Sequence, residues 1–350
     1  MRAFVRASAL TVGLSLASPI AAQEEPPPPP PKKDSYVDKV EASEAKDGVR
    51  WHLDTGATFN LSDNRSVIGQ PDGTTATFGY KSALGVELRE GPHEWRNTAS
   101  TAAGVTYTPV VPDIVKSRDL TEAETIYLFH IIDWFGPFAR FALSTSTFSG
   151  TDVRAEPTTY SIQRLDGTTD TVITERLRLT RPFRPTRLKE SIGVFFQPVA
   201  SEEVTTELRI GGGARNIFAV NQLALDDDDA TPAVDVVELD DVHQVGIEAV
   251  YELFGQLLQK GIQYKLVAEV LIPLWHSDLP PGDDRNALEL TNFALKATFS
   301  ARVVEWASVD YELGVVREPQ LLDAWQIRNN LLLTFGIATG NVEPPKPKPQ

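Results

Sequence analysis

The residues in this chain best suited to proton transfer or metal binding are five histidines, His52, His93, His130, His243 and His276. None stands at metal-ligand spacing from another, and no His-Glu-x-x-His run is present. Each therefore reads as a polar interior or loop position. A hydrolase of the serine type needs a Ser nucleophile beside a His base. His130 is followed by Ile131 and Ile132, and only His276-Ser277, beside Trp275, sets the two residue types together. Asp226, Asp227, Asp228 and Asp229 form the densest acidic motif. Four carboxylates could gather Ca²⁺ weakly, but a calcium loop spaces its acids and adds a turn glycine, whereas adjacent acids repel and stay solvated. A charged external loop is the favoured reading. Gly211-Gly212-Gly213 is not followed by Lys-Ser/Thr, so it is no phosphate loop, and a bend or bulge in a strand is expected there. The sequence calls for no cofactor and no resident metal.

More telling is a set of charges that recurs at period two. From Glu94 to Thr108 the chain alternates, with Trp95, Ala99, Thr101, Ala103, Val105 and Tyr107 on one face and Glu94, Arg96, Thr98, Ser100 and Gly104 on the other. That is a strand of fifteen residues, whereas ordinary strands run to about five or six. Trp95 and Tyr107 sit twelve residues apart, which at ~3.4 Å per residue and ~45° tilt separates them by roughly 29 Å. The spacing suits two aromatic girdles of a bilayer-spanning barrel, and Trp325 and Phe335 on a later strand are read as girdle aromatics too. Eight stretches share the pattern, 76–88, 95–107, 204–210, 245–253, 262–272, 293–303, 307–315 and 325–337. In the apolar phase they hold 47 positions without a charge, where the 23% charged content predicts roughly eleven.

The opposite phase holds Lys81, Glu87, Arg89, Glu94, Arg96, Glu207, Arg209, Glu248, Glu252, Lys265, Glu269, Lys296, Arg302, Asp310, Glu312 and Arg328, with the two signs equal in number. In a narrow bore such charges would pair across the lumen. The expectation is an interior braced by ion pairs, occluded or narrow, rather than a strongly selective wide channel. Period alone gives faces and not which face is inside, so a soluble β-protein with the apolar face as its core stays open at this point.

These faces require long strands, and twelve are predicted, near 51–61, 74–90, 93–108, 119–132, 136–149, 188–199, 203–213, 240–254, 260–272, 288–303, 306–317 and 324–338. Tight turns alternate with longer Pro/Gly/Asp-rich connections, 62–73, 109–118, 150–187, 214–239, 273–287 and 318–323, which is the rhythm of short periplasmic turns and long external loops. The predicted fold is all-β, a closed antiparallel transmembrane barrel of about 12 strands. A hairpin inside 150–187, turning at Asp166-Gly167, makes 14 if it joins the wall.

Residues 1–22 read as a secretory signal peptide, with Arg2 and Arg6 before an apolar stretch and Pro19-Ile20-Ala21-Ala22 at the cleavage region. Residues 23–50, with prolines at 26–31, form an extended periplasmic segment; the barrel occupies 51–338, and a Pro/Lys tail 339–350. Removing the signal takes the net charge from −15 to −17. An acidic balance argues against nucleic acid as a partner. With no Cys, the fold needs no disulfide.

The first half of the barrel resembles an uncharacterised family of bacterial outer-membrane β-barrels, a domain of unknown function. The resemblance covers roughly 51–150 and is carried by Trp51-His-Leu-Asp-Thr-Gly-Ala-Thr-Phe-Asn60, Glu94-Trp95-Arg96-Asn97 and Lys116-Ser-Arg-Asp119. The long 150–187 and 214–239 loops and the proline-rich tails depart from it. It implies an outer-membrane location and a barrel, and brings no catalytic residues. Trp325 to Phe335 looks like the terminal-strand signal read by the outer-membrane assembly machinery, here followed by a tail that could touch the cell wall. The sequence thus favours a non-enzymatic outer-membrane barrel, structural or narrow-pore, in contact with outer-membrane lipid. An outer-membrane lipid hydrolase and a soluble periplasmic all-β binding protein are the alternatives.

Overall fold

The computed structural model describes residues 47–64, 73–107, 111, 114–201, 203–226, 232–257, 261–279, 283–304 and 306–341, without the side chains of 61–64 and 73–75. The signal peptide, the proline run, the tail from residue 342 and Asp227–Asp229 lie outside the described residues. Every regular element described is a β-strand. Twelve form one closed antiparallel wall. In chain order these are β1 (Gly48–Asn64), β2 (Gly73–Glu90), β3 (His93–Tyr107), β4 (Val115–Phe129) and β5 (Phe135–Thr145), then β8 (Thr186–Ala200), β9 (Val204–Phe218), β12 (Val242–Leu257), β13 (Ile262–His276), β14 (Asn292–Val304), β15 (Ala307–Glu318) and β16 (Leu322–Gly340). Each pairs with the next around the ring, and β16 returns to β1. All but β5 are 12 or more residues long, matching or exceeding the ~9–11 that a tilted strand needs to cross a bilayer.

The remaining four strands, β6 (Gly150–Gln163), β7 (Thr169–Thr180), β10 (Gln222–Leu225) and β11 (Val234–Leu239), make a separate sheet ordered β10-β11-β6-β7. This corrects two expectations. The 150–187 hairpin exists, and Gly167 at φ +82 turns it, but it stays out of the wall, so the fourteen-strand reading fails. The hairpin finds its apolar partner in the other long loop: β11 runs parallel to β6, and Tyr160, Ile162, Leu177, Val234 and Val236 bury one small core between them. Burial of that face outside the ring removes any need for the hairpin to enter it.

The glycine run is the second correction. β9 keeps unbroken register from Thr205 to Ile217 against β12, through Gly211-Gly212-Gly213, so no bulge forms there. The need for glycine is instead close approach: a Cβ on Gly193 would lie 2.1 Å from the Ile210 carbonyl oxygen, and one on Gly211 as near to that of Ile192. Bulges fall elsewhere, at Gly104/Val105, Phe196/Val199, Val245/Gly246, Arg302/Val304 and Arg317/Glu318.

Closure also decides the faces. Phe78, Tyr80, Leu84, Ile192, Ile247, Phe299, Ile327 and Leu331 point outward and are exposed, while Glu94, Glu207, Arg209, Glu248, Glu269 and Asp310 are buried inside. The arrangement is the reverse of a soluble protein, whose apolar face would form the core.

Candidate functional site

Among the described residues, titratable side chains from all around the wall converge in the lumen. On the turn-proximal side Glu94 accepts from Arg96 and from His130, whose Nε2 lies 2.8 Å away, and Arg89 stands 3.6 Å off. Arg96 then reaches across the bore to Glu207, 2.7 Å away and four strands round the ring. Glu207 pairs with Arg209, which donates to Glu252 at 2.6 Å. Beside this cluster Ile126, Leu128, Phe138 and Phe195 fill the interior with apolar side chains, and the His130 ring meets Phe195 edge-on.

Higher up, Arg140 donates to Glu124 at 2.6 Å and approaches Glu248 and Glu269 at 3.3 and 3.4 Å. Glu269 also accepts from Lys189 at 2.6 Å and Arg215 at 2.5 Å. Arg187 pairs with Glu318 at 3.0 Å. On the far wall Lys81 meets Asp310 at 2.5 Å, which Ser300, Ser308 and Thr334 also bond. Two further pairs span nearly the full width. Lys296 on β14 meets Glu122 on β4, six strands away in either direction, at 3.0 Å, and Arg118 meets Glu312 at 2.8 Å. Arg50 bonds Glu87 beside β1.

The structure therefore brings together most of the charges picked out by periodicity. Lys265, Arg302 and Arg328 share the lumen face, with no ion-pair partner shown for Lys265 or Arg328 among the described residues. Sequence reasoning missed Arg50, Arg118, Glu122, Glu124, Arg140, Arg187, Lys189, Arg215 and Glu318. In β4 the bulge at Ser117 puts charges on both alternation phases, and β8 sets Lys189 beside Glu190, so neither strand has a clean polar face. Arg187, Arg215 and Glu318 fell in segments taken for loops. The phase of Glu207 and Arg209, continued through Gly211 and Gly213, leads straight to Arg215.

The girdle candidates stand outward: Trp95 is 49% exposed, Tyr107 48%, Trp325 57% and Phe335 38%. All six tryptophans lie on the outer surface near one end or the other, Trp51, Trp95, Trp134 and Trp306 at the turn end and Trp275 and Trp325 at the loop end. Trp306 stacks on Phe335 at 5.9 Å. Asp226 caps the β10–β11 pair through its backbone N–H to the Asp235 carbonyl oxygen. One polar row was unforeseen. On the outer face near the loop end, His243 Nδ1 lies 2.9 Å from Asn216 Oδ1, and Asn216 donates to Glu190 at 3.2 Å. The Ser277 hydroxyl accepts from the backbone N–H of His243, not from its ring.

A closed antiparallel ring with an apolar exterior and a charged, paired interior defines the class: this is the fold of an outer-membrane β-barrel. No family model matches the chain, and no curated protein does. Solved structures that match include an outer-membrane channel from Pseudomonas putida F1, at 11% identity over 87% of this chain and 99% of that one, TM-score 0.39. The translocator domain of the autotransporter NalP from Neisseria meningitidis matches at 8% identity over 84% of this chain and 89% of that one, TM-score 0.34. A monoaromatic hydrocarbon channel, TodX, matches at 6% over 85% and 89%, TM-score 0.31.

Proposed function

We propose that this chain is a non-enzymatic outer-membrane β-barrel whose lumen is held shut, or nearly so, by ion pairs across the bore, and that its role is structural or that of a narrow, gated pore. The observation that carries the reading is the set of cross-bore pairs, Arg96–Glu207, Lys296–Glu122 and Arg118–Glu312, which join strands four to six places apart around the ring. Arg96–Glu207, with side chains 15% and 0% exposed, is little screened by water and holds firmly across the gap, whereas Lys296–Glu122, 54% and 38% exposed, is hydrated and adds less. Ions would pass only where the pairs part.

Export by the 1–22 signal, insertion by the assembly machinery through the Trp325–Phe335 strand, and a cell-wall contact of the tail belong to the same reading. Tail removal must begin at residue 342. Asn341 bonds the backbone of Val49 and Trp51 and so helps close the ring.

The test is conductance of the refolded full chain in a planar bilayer. Wild type should be silent or open in small, infrequent steps, and the Arg96→Ala/Arg140→Ala double variant should open wider and longer. A steady wild-type conductance of wide-porin size would overturn the reading.

A further inference from the structure

On β8 a carboxylate stands among the outward apolar residues. The register with β9 is unbroken from Thr186 to Phe196, so Glu190 shares a face with Ile192, which is 69% exposed, and with Val194. Lys189 beside it points the other way and pairs with Glu269 in the lumen.

The tilt of the wall sets the depth of Glu190. Paired residues form rows across the strands. The row through Asp54, six residues above the start of β1, reaches Glu122 on β4 and then Val242, where β12 begins at the loop end. Rows therefore climb from β1 towards β12. Glu190 belongs to the row of Ala214, Val245 and Trp275, three strands back from the tryptophan. At ~4.8 Å between strands and ~45° tilt, it sits roughly 10 Å deeper than Trp275, inside the span between the aromatic girdles.

A carboxylate so placed needs a partner, because charge facing lipid is costly. Glu190 receives one hydrogen bond, from the Asn216 side-chain amide at 3.2 Å, and Asn216 in turn meets His243 Nδ1 at 2.9 Å. A carboxylate can accept about four. No ion pair forms to Glu190 among the described residues, and the outward faces of β5 and β9 beside it carry no Lys or Arg. Arg184, nearer the loop end, donates instead to the Phe218 carbonyl oxygen at 3.1 Å. On the turn side of Glu190 the surface is apolar and dips. Gly212 on β9 pairs with Ile192, and nothing lies within 4 Å of where its Cβ would be. Ile192, Ile210 and Ile247, all exposed, stand around the gap.

We propose that Glu190 and the gap at Gly212 form a lipid-facing site for a cationic amphiphile, an amine-headed lipid. The ammonium group pairs with the Glu190 carboxylate, and the alkyl chain runs towards the turn end over Gly212, between the three isoleucines. Charge complementarity selects the head, and the apolar surround selects a chain-bearing ligand over a soluble cation. The inference rests on the outer-membrane barrel reading and adds a ligand on the outside of the wall, whether or not the lumen opens.

The experiment measures equilibrium binding of radiolabelled dodecylamine to the refolded full chain in non-ionic detergent, for wild type and Glu190→Gln, with the heat-modifiable gel shift checked for both. Wild type should bind above the micelle background. Glu190→Gln keeps the shape of the side chain and an acceptor for Asn216, and should weaken binding about 10- to 100-fold, the range expected for losing a charged hydrogen bond. Butylamine, the same head on a short chain, should compete poorly, and laurate not at all. Equal binding by the two proteins, no wild-type binding above background, or butylamine competing as well as dodecylamine would overturn the site. A dimer that Glu190→Gln abolishes, without amine binding, would give this face to a second copy and overturn it too. A wild type lacking the gel shift would overturn the barrel reading, and the site with it.

Discussion

Replacing Arg140 by Met should destabilise the barrel by ~3–5 kcal/mol, the usual cost of stranding a buried charge. Arg140 is 8% exposed and sits among three carboxylates, at 2.6 Å from Glu124, 3.3 Å from Glu248 and 3.4 Å from Glu269. At an effective dielectric of about 20, each contact supplies ~5–6 kcal/mol of Coulomb attraction, most of it offset by desolvation. The three acids would not suffer alike. Glu269 keeps Lys189 and Arg215, and Glu124, 27% exposed, can draw water. Glu248 is 3% exposed, and Arg140 is its ion partner among the described residues, so the penalty concentrates there. It follows that adding Glu248→Gln to Arg140→Met should recover part of the loss by removing the stranded charge. Urea unfolding of the refolded chain in detergent micelles, read by the heat-modifiable gel band, measures both. An Arg140→Met variant within ~1 kcal/mol of wild type, or no recovery on adding Glu248→Gln, would refute the argument that these pairs brace the lumen.

Ile247 is 49% exposed on the outer face, and Ile247→Arg should cost ~2–4 kcal/mol in the same unfolding assay if that face meets lipid near the midplane; a neutral effect would count against the lipid-facing assignment. Gly193→Ala would set a methyl 2.1 Å from the Ile210 carbonyl oxygen, so the variant should fail to give the compact gel band and be degraded on expression, whereas Gly212→Ala, whose Cβ meets nothing within 4 Å, should assemble normally. Val236 is fully buried in the core of the separate sheet, and Val236→Asp should open residues 150–180 to added protease on intact cells while leaving the heat-modifiable shift unchanged. Equal protease resistance would mean that this core does not hold the two loops together.

Alternation was legible in the sequence because it is local. A period of two on a long strand places successive side chains on opposite faces whatever the strand pairs with, so Glu94 and Arg96 separate from Trp95 and Tyr107 without knowledge of any neighbour. Strand length and the twelve-fold count followed from the same local pattern. The pattern failed where a bulge shifts phase, as at Ser117, and where adjacent charges face opposite ways, as at Lys189 and Glu190. Arg140 and Arg215 went unseen for related reasons: one lies on a strand whose faces are mixed, the other past a glycine run taken for a strand end.

What the tertiary structure alone decided depends on pairing between distant segments. The charged face turned inward only when β16 met β1 and closed the ring. The 150–187 hairpin stayed outside the wall because 222–239 supplied an apolar partner some sixty residues further on. Which arginine meets which carboxylate, Lys296 with Glu122 across 174 residues of chain or Arg96 with Glu207 across 111, is set by shear and register around the ring. The divergence of β1 and β16 above Phe59 and Leu333 belongs there too. No periodicity records where two strand edges, joined at opposite ends of the chain, cease to touch.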